Sequence, residues 1–234
     1  TAFGVSSAFL SCCATKAPVG IISIEMPAKL IAERILSGKS GVPLRAIRTN
    51  RLTDIEKLRL IDTQHEIAEL PIIIDDDCRM TAQKIHDRVK KMVHEHHVEF
   101  VVIDYLQLIK GQGRSRDEEV SSVSKSLKET AREFKIPVVA LAQLNREIEK
   151  RSDKKPIAAD LGYSGALEQD ADIIITINQL SKHRIEFYDD GRPTKDMLDV
   201  DVLKSRNGAV GGVRMKCEHH ISRITEITGG EWNV

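Results

Sequence analysis

Glu25, Asp104 and Gln143 each close a short apolar run: Val19-Gly20-Ile21-Ile22-Ser23-Ile24-Glu25, Phe100-Val101-Val102-Ile103-Asp104 and Pro137-Val138-Val139-Ala140-Leu141-Ala142-Gln143. Short runs rich in Val and Ile, set between long helical patterns, read as buried parallel strands. In an open α/β sheet, ligands bind just beyond the carboxyl ends of the strands. An acid, a second acid and an amide along one edge of one sheet is the layout of a nucleoside-triphosphate hydrolase. Asp104 has the form of a Walker B strand, whose carboxylate helps hold Mg²⁺ on the β- and γ-phosphates. Glu25, one strand over, can orient or deprotonate the attacking water. Gln143 can hydrogen-bond the γ-phosphate or that water and report hydrolysis to the loop after it. In Lys204-Ser205-Arg206-Asn207-Gly208, two cations at i and i+2 project to one face and together can reach a phosphate. If the site lies between subunits, they form an arginine finger supplied in trans. Each residue also has a plainer reading: a strand-end Asp capping a loop, an exposed Glu, a solvated amide, a basic turn built on Asn-Gly. Three coinciding strand ends weigh against all of the plainer readings holding at once.

The elements that must position these groups follow from periodicity. A helix from Thr1 to about Ala14 leads into the strand ending at Glu25. A second helix follows Pro27, with Leu30, Ile31, Ile35 and Leu36 on one face, and Gly38 to Thr49 reads as a connector. Thr53-Asp54-Ile55-Glu56 has the form of a capping box and opens a helix to Glu69. Pro71 to Asp75 reads as a short strand, and Thr81 caps a helix to about His97. After the Asp104 strand come the loop Gly111 to Arg116 and an amphipathic helix from about Asp117 to Phe134. From Asn145 to Gly165 no period persists, which reads as a long functional loop. Asp172 to Ile177 reads as another buried strand. Arg184 to Tyr188, Met197 to Leu203, Val213 to Cys217 and Ile221 to Ile227 read as antiparallel strands completing the sheet. The expected fold is therefore α/β: a mostly parallel central sheet flanked by helices, with antiparallel strands towards the C-terminus and no second domain.

Bulk properties narrow the function classes. Lys plus Arg and Asp plus Glu each number 35, so the net charge is zero. That argues against a polybasic tail but leaves room for a local basic loop, above all one repeated around a ring. The cysteines Cys12, Cys13, Cys78 and Cys217 form no C-x-x-C pair, which argues against zinc and against a redox dithiol. Scattered thiols suit a reducing cytoplasm. No apolar stretch reaches the ~18 residues that span a bilayer, and the opening residues have neither a basic region nor a cleavage site of a signal peptide. His94-Glu95-His96-His97 offers a single helix-spaced pair, His94 with His97, and without supporting ligands it reads as a helix end rather than a metal site.

Five stretches carry a family resemblance: Ser23-Ile24-Glu25-Met26, Ile103-Asp104-Tyr105-Leu106-Gln107-Leu108, Ala142-Gln143-Leu144-Asn145-Arg146, Ser164-Gly165-Ala166-Leu167-Glu168-Gln169-Asp170-Ala171-Asp172, and Lys204-Ser205-Arg206-Asn207-Gly208. In these words and their order, the chain resembles the C-terminal, RecA-like ATPase domain of DnaB-type replicative hexameric DNA helicases. The resemblance implies a RecA-like P-loop NTPase core over residues 1–234 that uses ATP and Mg²⁺ and works in the cytoplasm. It implies a homo-oligomer, a hexameric ring around single-stranded DNA, with primase and a helicase loader as further partners. Glu25 would be the base, Asp104 the Mg²⁺-organising acid and Gln143 the coupler to the DNA loops. Lys204 and Arg206 would reach the neighbour's nucleotide, and Arg34 matches a family arginine near it. Arg114, Arg116, Arg146, Gly162, Tyr163, Ser164 and Gly165 fall in segments that would face DNA. Two departures stand out. The family's phosphate loop ends in Gly-Lys-Thr followed by Ala-Phe or a close variant. This chain opens Thr1-Ala2-Phe3, so Thr1 would be the Mg²⁺-ligating hydroxyl, and the expectation is a domain cut at its N-terminal edge. Where the family usually has Arg-Glu before Ser-Gly, this chain has Gly162-Tyr163; Tyr163 could stack on a base or sugar instead, which suggests a divergent, phage or plasmid type of member. The rival readings are a RecA-like recombinase or mediator and a non-enzymatic, ATPase-dead ring subunit or adaptor.

Overall fold

The computed structural model describes residues 2–151, 153–161 and 164–227, which form two compact units. The first comprises the residues up to Ala142 with His220–Arg223. Its parallel sheet is built from β1 (Val19–Ser23), β2 (Ile72–Asp75), β3 (Phe100–Asp104) and β4 (Val138–Ala140), in the order β2-β1-β3-β4. Val19 pairs with Ile72 on one side and Phe100 on the other, and Ser23 pairs with Asp104. β1 and β3 are apolar without alternation because both of their faces are covered. Ile21 and Val102 pack with Val5, Ala8 and Cys12 of α1 (Ala2–Thr15) and Ile31 and Ile35 of α2 (Ala28–Ser40). Ile22, Val101 and Ile103 alternate to the opposite face. The helices α5 (Ala82–His96) and α6 (Arg116–Phe134), which pack on each other, bury Ile85, Val89 and Met92, and Val120, Val123 and Leu127. Each such side chain contributes about 1.5–3 kcal/mol relative to exposure.

Helix starts follow local chemistry. Thr53, Thr81 and Ser115 accept the N–H groups of Glu56, Lys84 and Glu118, opening α4 (Asp54–Ala68), α5 and α6. In α4 the Glu56 side chain returns to the Thr53 N–H, completing the expected capping box. Those bonds hold the Glu56 carboxyl below its ordinary range.

The second unit, Gln143–His219 with the residues from Ile224 on, holds α7 (Ser164–Asp170) and most of an antiparallel sheet. That sheet is formed by β5 (Ile173–Asn178), β6 (Met197–Ser205), β7 (Gly211–Glu218) and β8 (Arg223–Glu226), in that order.

Several expectations are corrected. The antiparallel strands do not complete the parallel sheet; they form a sheet of their own. β5 is not buried throughout: Ile174 is inside while Ile173 and Ile175 are exposed, the alternation of an antiparallel strand with one packed face. Arg184 to Tyr188 is not a strand. A 3₁₀ turn ends at His183, and the chain then folds back at once, with a single bridge between Phe187 and Pro193. The Tyr188 N–H donates to the Arg192 carbonyl across Asp189-Asp190-Gly191, leaving no room for a ladder. The connector before Thr49 holds the end of α2 and the short helix α3 (Leu44–Thr49), which starts after Pro43. Among the described residues no helix is long and apolar enough to cross a membrane.

Candidate nucleotide and nucleic-acid site

In the first unit, β1 and β3 lie side by side and parallel, so the residues just beyond them share the carboxyl edge of the sheet. Asp104 is the last residue of β3 and is buried, 2% exposed. Glu25 stands two residues beyond Ser23, the partner of Asp104, and is exposed. Adjacent strands are ~4.8 Å apart and a residue advances ~3.3 Å, so both carboxylates are within reach of one triphosphate.

The turn carrying Glu25 is held on both sides. The Ile24 N–H donates to the Asp104 carbonyl at 2.8 Å. The buried Ser23 Oγ donates to the Met26 carbonyl at 2.8 Å and accepts the Met26 N–H at 3.2 Å. The Asp76 carboxylate accepts the Ala28 N–H at 2.8 Å. α2 begins after Pro27 with no cap from its own N-terminal residue; Asp76, one residue past β2, supplies the missing acceptor and suits the positive end of the helix. Sequence reading missed Asp76. The available signal was the acidic run Asp75-Asp76-Asp77 after an apolar strand, beside a helix start that lacks Ser, Thr, Asp or Asn. On α2, the Nε of Arg34 is buried with no hydrogen-bond partner among the described residues.

Arg114 and Arg116, grouped together by sequence, differ in the structure. The Arg116 guanidinium donates to Glu119 Oε2 at 2.5 Å and to the Gln107 carbonyl. The side chain is engaged within the chain and ties the loop to α6. Gly111 has the same employment, because a Cβ there would lie 2.1 Å from the Glu119 carbonyl oxygen. The Arg114 N–H donates to Glu118, while its residue surface is exposed. His94 packs edge-on against Phe134, and His97 closes α5 in the left-handed conformation.

In the second unit, Lys204 and Arg206 converge on the C-terminal end of α7. The Lys204 ammonium donates to the Glu168 carbonyl, and Arg206 Nη2 donates to the Gln169 carbonyl at 2.8 Å. Arg206 Nη1 lies 3.4 Å from Asp172 Oδ1. The two cations therefore do act on one stretch of chain. Gln143 follows β4 by three residues and opens this unit. Gly165 is the second residue of α7, and a Cβ there would meet open space, so packing does not account for the glycine. Thr1, Gly162 and Tyr163 lie outside the described residues. The backbones of Arg146 and Ser164 belong to a 3₁₀ turn and to α7, but their side chains are not described.

A parallel sheet with acids at its carboxyl edge, between helices, has the layout of a RecA-like nucleotide-binding core. Residues 1–226 match the DnaB-like helicase C terminal domain, and the chain belongs to that family. It is 39% identical over 209 residues to the replicative DNA helicase DnaB of Mycobacterium leprae (strain TN), a match covering 88% of this chain and 34% of that protein. It is 36% identical over 218 residues to the replicative DNA helicase DnaB of Geobacillus stearothermophilus, over 92% of this chain and 47% of that protein. Among solved structures, a DnaB-like replicative helicase studied with its primase interactions superposes with a TM-score of 0.88 at 30% identity, over 97% of this chain and 54% of that one. A second solved structure, of an ATPase domain, gives a TM-score of 0.88 at 29% identity, over 97% of this chain and 80% of that one. The chain spans about a third to a half of the length of the curated relatives it matches.

Proposed function

We propose that this chain is the ATP-hydrolysing motor of a ring-shaped replicative DNA helicase, acting as one RecA-like domain over residues 1–234. The observation that carries the reading is the pairing of Ser23 with Asp104, which sets Glu25 and Asp104 on one carboxyl edge in a member of the DnaB-like family. ATP would lie along that edge between two subunits. Asp104 and the Thr1 hydroxyl would hold Mg²⁺, which would neutralise charge on the phosphates. The residues fit these groups: a buried carboxylate suits a hard cation, and the buried Arg34 Nε is a donor with no partner among the described residues, suited to an anion.

Glu25 orients the attacking water and takes its proton. Gln143 hydrogen-bonds the water or the γ-phosphate. Lys204 and Arg206 leave the carbonyls of Glu168 and Gln169 and stabilise charge on the neighbouring subunit's nucleotide. Hydrolysis shifts one subunit against the next and moves the segments at Arg114–Asp117, Arg146 and Gly162–Gly165 along the phosphates of single-stranded DNA. Tyr163 stacks where the family places an Arg. The ring is a homohexamer working in the cytoplasm. The likeness to a helicase studied with primase supports a primase partner, and a loader would close the ring on DNA.

Glu25→Gln tests the reading in a polypeptide in which a Gly-Lys phosphate loop precedes Thr1. Nucleotide affinity should stay within about threefold while turnover falls about 10²–10⁴-fold. Unchanged turnover would remove Glu25 from the mechanism.

A further inference from the structure

Between Gln143 and α7 the described residues form no strand and only short 3₁₀ turns, yet many of them gather around one buried carboxylate. Asp160 is 4% exposed. Arg151 grips it with both arms of its guanidinium, Nη1 donating to Oδ1 at 2.9 Å and Nη2 to Oδ2. Nη2 also donates to the Lys155 carbonyl, and the Ile157 N–H donates to Asp160 Oδ2 at 2.8 Å. Asp160 ends one short 3₁₀ turn, Ala158–Asp160, and Arg151 directly follows another, Arg146–Lys150. The Asn178 side-chain amide, on β5, donates to the Lys154 carbonyl at 2.8 Å and fastens the segment to the antiparallel sheet.

One bond gives this packing its meaning. The Asn145 N–H donates to the Asp160 carbonyl at 2.6 Å. Asn145 is two residues after Gln143, and Asp160 is two residues before Gly162. We infer that Arg151 and Asp160 are positioning residues, an ion pair that closes the chain between the nucleotide-sensing Gln143 and Asp160, from which the chain runs on to the segment proposed to meet DNA. The inference rests on the motor reading above and adds to it the part that carries movement from one end to the other. Asp160 is buried and Arg151 half-buried; such an ion pair is a poor source of stability, since removal from water offsets its attraction, and its best-attested use is to fix one arrangement. The bidentate fork does so here by constraining both oxygens. The hydrogen bond from Arg151, reinforced by the Ile157 N–H, holds the Asp160 carboxyl below its ordinary range, so it remains charged at neutral pH.

The test uses the polypeptide with the phosphate loop ahead of Thr1. Asp160→Asn keeps shape and an acceptor for Ile157 but removes the charge. Arg151→Lys keeps the charge and loses the fork. ATP turnover is measured with and without single-stranded DNA, together with amide exchange at Asn145. The expected result is basal turnover within about twofold of the parent, stimulation by DNA reduced at least about fivefold in Asp160→Asn and less in Arg151→Lys, and Asn145 exchange faster by about tenfold or more. If Asp160→Asn does not fold, Arg151→Lys and the exchange measurement decide. Folded variants with full DNA stimulation, or basal and stimulated rates falling in parallel, overturn the coupling role. A parent that DNA does not stimulate overturns the motor reading itself, and this inference falls with it.

Discussion

The two units hold their charged groups in opposite ways. In the parallel unit, Asp104 belongs to a central strand, and Glu25 rides on a turn fixed by the Ile24 N–H, Ser23 Oγ and Asp76. Backbone pairing sets both positions. In the antiparallel unit, Lys204 and Arg206 are held by side-chain contacts to the end of a seven-residue helix. The Arg206–Asp172 pair is about half exposed on each side, the kind of pair that contributes ~0–1 kcal/mol. The groups proposed to meet a water and a metal are built into the sheet. The groups proposed to reach a neighbour are held lightly.

The sharpest test of this contrast is Arg206→Ala. Turnover should fall about 10³-fold, the lower range for an arginine finger. With the cation acting on the neighbour as proposed, mixing these subunits with Glu25→Gln subunits should restore some activity at mixed interfaces. Verified mixed rings with no recovery would make the two regions parts of separate sites. The parallel unit is tested next by Asp76→Ala. Losing the Ala28 contact loosens the turn under Glu25, so kcat should drop about 10–100-fold with little change in nucleotide affinity. Asp76→Asn, which keeps an acceptor, should recover most of it; a KM effect instead would mean that Asp76 serves binding.

The smallest effect concerns a side-chain clip between two helices. His86 Nε2 lies 2.9 Å from Glu133 Oε2, joining α5 to α6, and the bond to Glu133 raises the His86 pKa above 6.5. A raised folded pKa stabilises the charged form, so the contribution is complete below pH 6.5 and disappears as pH rises through the folded value. His86→Gln should therefore lower Tm by about 1–3 °C at acid pH and by nothing well above neutrality. A pH-independent gap would show that packing on Phe134, rather than charge, is what His86 supplies.

The Val- and Ile-rich strands were legible because a doubly covered strand must be apolar at every position. Glu25 and Asp104 could be found from where those runs stop. Asp76 was harder to find, because the helix it caps starts 48 residues earlier in the chain and only the acidic run Asp75-Asp76-Asp77 hints at it. The segment around Asp160 reads as formless since its organiser is one carboxylate with partners at Arg151 and Ile157, and neither helical nor strand periodicity records that. The separate second sheet was hidden by Ile173-Ile174-Ile175, where an exposed Ile on each side of a buried one imitates a fully buried run. Arg116 shows that charge read from sequence does not specify a partner: its guanidinium is bonded to Gln107 and Glu119 within the chain.

The pairing of β1 with β3 also sets a timetable. Val19 cannot meet Phe100 until about 81 further residues have been made, which at 5–20 residues per second takes roughly 4–16 s. β2 can reach one side of β1 earlier, but until β3 is made the other side of β1 stays open. The edge that bears both acids is thus assembled late during synthesis, and premature release before β3 would leave β1 with one unpaired apolar edge, a site for aggregation.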